Sequence, residues 1–171
     1  MLFRSMKQNE EIRKEIDLYY ENWFKINYAY SSWAQSHGTS ENMILSLYEI
    51  ASAKDGCTQQ SLCRKLLLPK QTISFILHKL EKQGFLFRKE NPGDRRNKLV
   101  FLTEEGKAYA DDVLTKLEQA EIKAYQSMTT AQRKAVTQGL RMLADALSEQ
   151  LLSLIHISGY EADFSFPHPL F

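Results

Sequence analysis

Apolar residues recur at alternating spacings of three and four in the first part of the chain and again in its last third. Such a spacing places them on one face of an α-helix. The stretch from about residue 10 to 35 predicts a long N-terminal helix. Two further helices are predicted after Thr103, which can act as an N-cap, and after the capping box formed by Thr129 and Gln132. The N-terminal stripe consists of Ile12, Ile16, Tyr19, Trp23, Ile26, Tyr30 and Trp33.

The middle of the chain predicts shorter helices. One covers about residues 41–53, and a second begins at Thr58, a plausible N-cap. A third has Pro69 in its first turn, where the missing N–H costs nothing, and ends near Gly84. Because the three-residue turn Leu67-Leu68-Pro69 leads from the second helix into the third, the pair predicts a helix-turn-helix.

A β-hairpin is predicted directly after this helix-turn-helix. Residues 85–89 and 98–102 are apolar stretches of strand length, and Asn91-Pro92-Gly93 between them forms a turn. Arg95 and Arg96 then lie at the tip of the hairpin. A small β-wing of this kind can insert cations into a DNA groove.

The helix that follows Pro69 has two chemically different faces. Its apolar residues, at spacing i, i+3, i+4 and i+7 from residue 73, lie on one side. The opposite side is polar and basic, with one phenylalanine. Glutamine can bond adenine at two points, phenylalanine can contact a thymine methyl, and lysines can meet phosphates. The predicted DNA contacts on this helix are Lys70, Gln71, Thr72, Ser74, Phe75, His78, Lys79 and Lys82. An ordinary solvated helix face is the alternative for any one of them.

The charge is unevenly distributed along the chain. The 171 residues carry a formal net charge of only +1, but residues 56–103 contain ten Lys/Arg and three Asp/Glu, a local net charge of +7. The remainder holds 12 basic and 18 acidic residues, a net charge of −6. A basic middle between acidic ends is typical of a nucleic-acid-binding module held by arms that do not touch the polyanion.

Composition narrows the class of protein. No apolar run approaches the roughly 20 residues needed to span a bilayer, and the N-terminus has no signal-peptide pattern, so we expect a cytoplasmic protein without a membrane partner. The four histidines are scattered and predict no metal site. Cys57 and Cys63 make no zinc or redox motif, which favours inert packing over sensing. No phosphate-cradling loop or nucleophile elbow is visible, so we expect no cofactor, no catalytic residues and no enzymatic activity.

Four segments occur in an order and at spacings that resemble the multiple antibiotic resistance regulator (MarR) family of bacterial winged helix-turn-helix transcription factors. They are residues 56–66, 80–86, 94–96 and 102–106, and the resemblance covers about residues 9–150. Its most specific part is an Asp-x-Arg motif in the wing followed by Leu-Thr-x-x-Gly.

The resemblance implies roles for the wing residues. Arg96 would enter the minor groove, and Asp94 would hold it by a charge-assisted bond. Arg95 is the alternative for the groove or for a phosphate contact. A surface Asp–Arg pair without a ligand remains the other interpretation. The wing residues predicted for the DNA site are Asp94, Arg95, Arg96 and Lys98.

The implied fold is mainly α with a small β-wing. Residues 1–36 would form an N-terminal dimerisation helix, 37–103 the winged helix-turn-helix head, and 104–155 the C-terminal dimerisation helices. Residues 156–171 are a tail of uncertain order, which could be a docked arm, a disordered tail or an extension foreign to the fold. In the family the first and last helices interlock into a homodimer. The apolar stripes fit a monomeric bundle less well.

The resemblance also implies a small aromatic or phenolic effector bound between the arms and the head. The candidate residues are Tyr19, Trp23, Tyr30 and Trp33, although aromatic residues at this spacing more often pack in a core. The predicted function is a sequence-specific transcriptional regulator, a ligand-responsive repressor that binds a pseudo-palindromic double-stranded DNA operator as a homodimer. The effector would change the distance between the two heads. A winged-helix module that binds protein without specific DNA binding is the alternative.

Overall fold

The computed structural model describes residues 2–94 and 96–155. Helices make up most of this length, and a small antiparallel sheet lies near the middle of the chain. This confirms the predicted winged helix-turn-helix fold with long terminal helices. The elements are α1 (Leu2–Ser36), α2 (Glu41–Ser52), β1 (Cys57–Thr58), α3 (Gln59–Leu66), α4 (Lys70–Lys82), β2 (Leu86–Lys89), β3 (Leu99–Leu102), α5 (Glu104–Gln126) and α6 (Thr130–Ile155).

The helix starts follow the capping chemistry of the sequence. Thr58 and Ser61 form a reciprocal capping box at α3, and the Thr103 hydroxyl accepts the Gly106 N–H at the start of α5. Pro69 differs from its prediction by one residue. It is the N-cap of α4 and not part of its first turn, with an extended ψ of 145°, and Lys70 is the first helical residue. The helix α1 begins at Leu2, earlier than the apolar stripe predicts.

The three strands have the order β1-β3-β2, and both pairs are antiparallel. The pair β2–β3 is the predicted hairpin, with Leu86 opposite Leu102 and Lys89 opposite Leu99. The strand β1 was not predicted, because two residues are too few to show an alternating pattern. It pairs Cys57 with Val100 and so joins the start of the helix-turn-helix to the wing.

The core lies in the head (residues 37–103) and the first turns of α5. Helices α2, α3 and α4, the strands β2 and β3, and α5 each contribute buried side chains. Glu49 on α2 is also buried, and its carboxylate accepts a hydrogen bond from the Lys65 ammonium at 2.9 Å. The largest fully buried hydrophobic side chains are Leu47, Leu62, Ile73, Leu77, Leu80 and Val100.

A tight junction joins the end of α4 to the start of α5. The Thr103 hydroxyl donates to the Gly84 carbonyl at 2.7 Å, and the Thr103 N–H donates to the Phe85 carbonyl at 3.1 Å. A Cβ on Gly106 would lie 1.9 Å from the Phe85 carbonyl oxygen. The Leu-Thr-x-x-Gly motif is therefore structural, since its threonine caps α5 and its glycine permits the close approach.

The arms, which we define as α1, α5 beyond its first turns, and α6, leave many large apolar side chains in solvent. Phe24 and Tyr28 on α1 are 61% and 74% exposed, and Met142 on α6 is 62% exposed. The α1 arm is connected to α5 by the Tyr30 hydroxyl, which donates to the Glu121 carboxylate at 2.7 Å. An exposed apolar surface of this extent is unusual for a monomer.

Substituting Gly106→Ala should destabilise the protein by about 3 kcal/mol, near the upper end of overpacking costs, because the new methyl meets backbone and not a movable side chain. The measurement is the urea unfolding midpoint at one fixed protein concentration.

Gly139→Ala is the matched control. This glycine lies within α6, and nothing lies within 4 Å of its added Cβ. The control should be stabilised by about 0.5–1 kcal/mol. Equal midpoints for the two variants would contradict the packing role of Gly106.

Candidate nucleic-acid interface

The helix α4 presents the predicted polar face to solvent. Its apolar face is fully packed, with Ile73, Leu77 and Leu80 each 0% exposed. On the other side Phe75 is 68% exposed. The remaining predicted contacts are exposed or half-buried: Lys70, Gln71, Ser74, His78 and Lys82 are exposed, whereas Thr72 and Lys79 are half-buried.

The turn before α4 fixes the angle between the two helices of the helix-turn-helix. Leu67 has a φ of 52°, a left-handed conformation that is uncommon for a leucine and that ends α3 sharply. The Gln59 side-chain amide donates to the Lys70 carbonyl at 3.3 Å and connects the starts of α3 and α4. These features hold the N-terminal half of α4 outward.

The wing tip is held by side chains that accept backbone hydrogen bonds. The Asn91 side-chain oxygen accepts the Gly93 N–H at 3.0 Å, an Asx turn. The Asp94 carboxylate accepts the Arg96 backbone N–H at 3.0 Å and the Asn97 side-chain amide at 2.6 Å. These bonds, that from Asn97 first, lower the pKa of Asp94. At every pH above the ordinary pKa of an aspartate, the carboxylate is therefore ionised and stabilises the turn. This stabilisation is lost only as the pH falls through the lowered pKa of Asp94.

The structure specifies the bond by which Asp94 holds Arg96. Asp94 holds Arg96 through the backbone N–H, and within residues 2–94 and 96–155 no ion pair joins its carboxylate to the Arg96 guanidinium. The Arg96 side chain is exposed, as is Lys98. Arg95 lies outside the described residues. Asn97 was missed by the sequence analysis, although an asparagine three residues after an aspartate in a turn could have indicated the contact.

The base of the wing carries an aromatic pair. Phe87 and Phe101 are cross-strand partners with ring centroids 5.5 Å apart, and the Lys89 ammonium lies 5.4 and 5.2 Å from the two centroids. Arg88 on the same strand pairs with Glu81 of α4 at 3.3 Å. These contacts stiffen the wing relative to α4, the second helix of the helix-turn-helix.

The four aromatic residues proposed for an effector lie along α1. Trp33 packs against the core and stacks on His37 with centroids 4.0 Å apart, whereas Trp23 is 45% exposed. Tyr30 is engaged with Glu121, and partial burial together with that bond raises its pKa. Tyr19 is half-buried against its neighbour Tyr20.

A groove of about 1030 Å³ opens elsewhere, between the C-terminal end of α2, the wing sheet and α5. Its wall includes Phe87, Lys89 and Phe101, and none of the four α1 aromatic residues lines it. The effector prediction for these four residues therefore stays a prediction. These four side chains do not line the groove.

Cys57 lies in a setting that suppresses thiolate formation. Burial, aided by the negative charge of Glu49, raises the pKa of its thiol to about 11, so the thiol stays protonated at neutral pH. This environment is that of an inert packing residue.

The described part of the chain contains neither a membrane-spanning helix nor a cluster of metal ligands. None of its helices is long and apolar enough to cross a membrane. Among the same residues, no three His, Cys, Asp or Glu side chains come together as a metal ion would require.

Comparison with known proteins gives a consistent result. Residues 44–97 match the model of the MarR family. The uncharacterised HTH-type transcriptional regulator YkoM of Bacillus subtilis (strain 168) is 35% identical over 54 residues, which make up 32% of this chain and 35% of that protein. The sequence match thus spans about a third of that relative.

Solved structures extend the likeness to the arms. NMB1585, a MarR family regulator from Neisseria meningitidis, is 26% identical with a TM-score of 0.67, and the match covers 81% of this chain and 97% of NMB1585. The S. aureus MepR–DNA complex has a TM-score of 0.68 at 18% identity, covering 75% of this chain and 98% of MepR, and shows a shared fold. The MarR family model therefore matches the head of this chain, and the arrangement of head and arms is similar to that of a MarR family regulator.

Proposed function

We propose that this protein is a sequence-specific DNA-binding transcriptional regulator of the bacterial cytoplasm. It acts by occupying a pseudo-palindromic operator as a homodimer, as a repressor that a small ligand releases. The observation that carries the proposal is the pairing of two exposed features on one rigid head: the polar and basic face of α4 and a wing that ends in Arg96.

These two features suit adjacent grooves of B-DNA. Apart from Phe75, the apolar residues of α4 lie on its inner face, so its outer face can enter the major groove without disturbing the core. A cationic wing tip suits the neighbouring minor groove, where the negative potential is strong. The local charge of +7 over residues 56–103 supplies the attraction to phosphate. The MepR structure, solved as a DNA complex, supports the proposal at the level of the fold.

The homodimer is supported by the exposed apolar side chains of the arms. Two copies that cover these surfaces would hold two heads in a fixed relation, as a two-fold operator requires. The surfaces in question include Ile16, Trp23 and Phe24 of α1 and Leu140, Met142 and Leu151 of α6.

A ligand response is supported by the position of the groove between α2, the wing and α5. A molecule of the proposed aromatic or phenolic class bound there would touch both the wing and an arm helix. It could therefore change the distance between the heads if it bound one arrangement more tightly than the other. The aromatic residues of α1 remain the second candidate location.

The experiment that tests this function is selection from a pool of random duplexes at several salt concentrations, with sequencing of the bound fraction. We expect an inverted repeat with half-sites about one helical turn apart, and an affinity that falls steeply with salt, by a log–log slope near −0.9 per phosphate neutralised. Absence of enrichment together with weak salt dependence would favour the alternative, a head that binds protein.

Substituting Arg96→Ala should weaken operator binding by about 1–3 kcal/mol, because a minor-groove cation is lost. The dimer should be unchanged, since Arg96 lies at the wing tip. Fluorescence anisotropy measures the affinity, and analytical ultracentrifugation measures the assembly. Lys116→Ala, which removes an exposed cation from α5, is the matched control and should bind normally. An Arg96 variant with unchanged affinity would refute the wing assignment.

For Asp94→Ala, the loss of negative charge and the loss of hydrogen bonds predict opposite changes in operator affinity. Removal of a carboxylate near a polyanion should by itself tighten binding. However, the Arg96 N–H and the Asn97 amide would lose their acceptor, so we expect the operator affinity to fall roughly tenfold as the turn loosens. Asp112→Ala removes an exposed carboxylate from α5 and should have no effect. Tighter binding by the Asp94 variant would mean that the turn bonds are unimportant.

A further inference from the structure

Phe75 is placed where the recognition helix has no structural use for an aromatic ring. It is 68% exposed, while its neighbour Ile76 is 2% exposed. At about 100° per residue, Phe75 lies roughly 160° around the helix from Ile73, the middle of the buried face. The ring is therefore directed away from the core and cannot be an extension of it.

The surroundings of Phe75 are the polar face itself. By the same helical angle, Lys82, Gln71 and Lys79 all lie within about 40° of it, so the ring is the centre of that face. Among the described residues, the ring contacts include no stacking or cation–π partner for Phe75. A surface that fits this face must be charged where it meets the basic side chains. It must also carry an apolar group where it meets the ring.

The major groove of DNA offers one such feature, the C5-methyl group of thymine. Phe75 is the sixth residue of α4, within the half of a recognition helix that reaches base edges. We propose that Phe75 determines specificity by packing on a thymine methyl, one in each half-site. This inference rests on the proposed DNA-binding function and adds the chemical group that is recognised.

The geometry also sets where that thymine lies. Gln71 precedes Phe75 by four residues, which is about 6 Å along the helix axis. Successive base pairs are separated by about 3.4 Å. If Gln71 bonds an adenine, the thymine contacted by Phe75 lies within about two base pairs of it, the full two steps applying when the helix axis runs along the DNA axis.

Deoxyuridine gives a direct test, because it pairs with adenine as thymine does and lacks only the methyl group. One thymine position of the selected operator is replaced by deoxyuridine at a time, at the equivalent place in both half-sites. The affinity of the wild-type protein for each such operator is measured by fluorescence anisotropy. We expect one position per half-site at which each lost methyl weakens binding about three- to fivefold. Wild-type binding that tolerates uracil at every position would overturn the inference and leave the proposed function standing.

Two variants assign the effect to a side chain. Phe75→Ala should bind the thymine operator more weakly than wild type, and should bind the thymine and uracil operators equally. Gln71→Ala, the matched control on the same face, should keep the uracil effect. A uracil effect that persists in Phe75→Ala would assign the methyl contact to another residue and refute the proposal. Since the ring is largely exposed, its removal should leave the unfolding midpoint unchanged, and the uracil scan of the wild-type protein stands without any variant.

Failure of the underlying function gives a different result. In that case the random pool yields no enriched duplex, and no operator exists in which to place uracil. A selected operator with no methyl dependence refutes only the role of Phe75.

Discussion

The head depends on one close backbone approach, between the first turn of α5 and the corner that joins α4 to β2. Gly84 turns the chain there with a φ of +78°, and its carbonyl accepts the Thr103 hydroxyl. Gly106 lets the α5 backbone meet the Phe85 carbonyl. Since β2 begins and β3 ends beside this corner, the same contacts position the recognition helix, the base of the wing and the arm helix. A displacement of α5 must therefore move the base of the wing.

The wing is built in two parts with different rigidity. Its base is fixed by the junction and by the pairing of β3 with both β1 and β2. The stacked rings of Phe87 and Phe101, which the Lys89 ammonium contacts, also fix it. Its tip is held by the local hydrogen bonds of Asn91 and Asp94, all within a few residues. Strands of four residues span only about 13 Å, so the tip stays close to the head. The arrangement sets where the tip lies and leaves the exposed arginine free to adapt.

The sequence predicted the parts of the fold that arise from local periodicity and capping. The inner face of α4 and the caps Thr58 and Thr103 were identified because their signals lie within one or two helical turns. The strand β1 was missed because its two residues become a strand only by pairing with Val100, more than 40 residues away. The donor to Asp94 was left unspecified for a related reason, since composition identifies a carboxylate beside arginines and cannot select the backbone N–H. The groove was not predicted because three distant segments form it.

The distribution of apolar residues around α1 indicates how many neighbouring helices are needed to bury them. At about 100° per residue, Trp23 and Tyr30 lie near one line along the helix, Phe24 about 100° away and Tyr28 about 140° away from Trp23. All four are at least 36% exposed. A single neighbouring helix covers one stripe, whereas apolar residues spread over about 160° of a helix need neighbours on more than one side. Interlocked arms in the proposed homodimer would supply them. The same interlocking would join each head, through α5, to both copies, so a ligand that shifts one arm would act on both halves of the proposed operator contact.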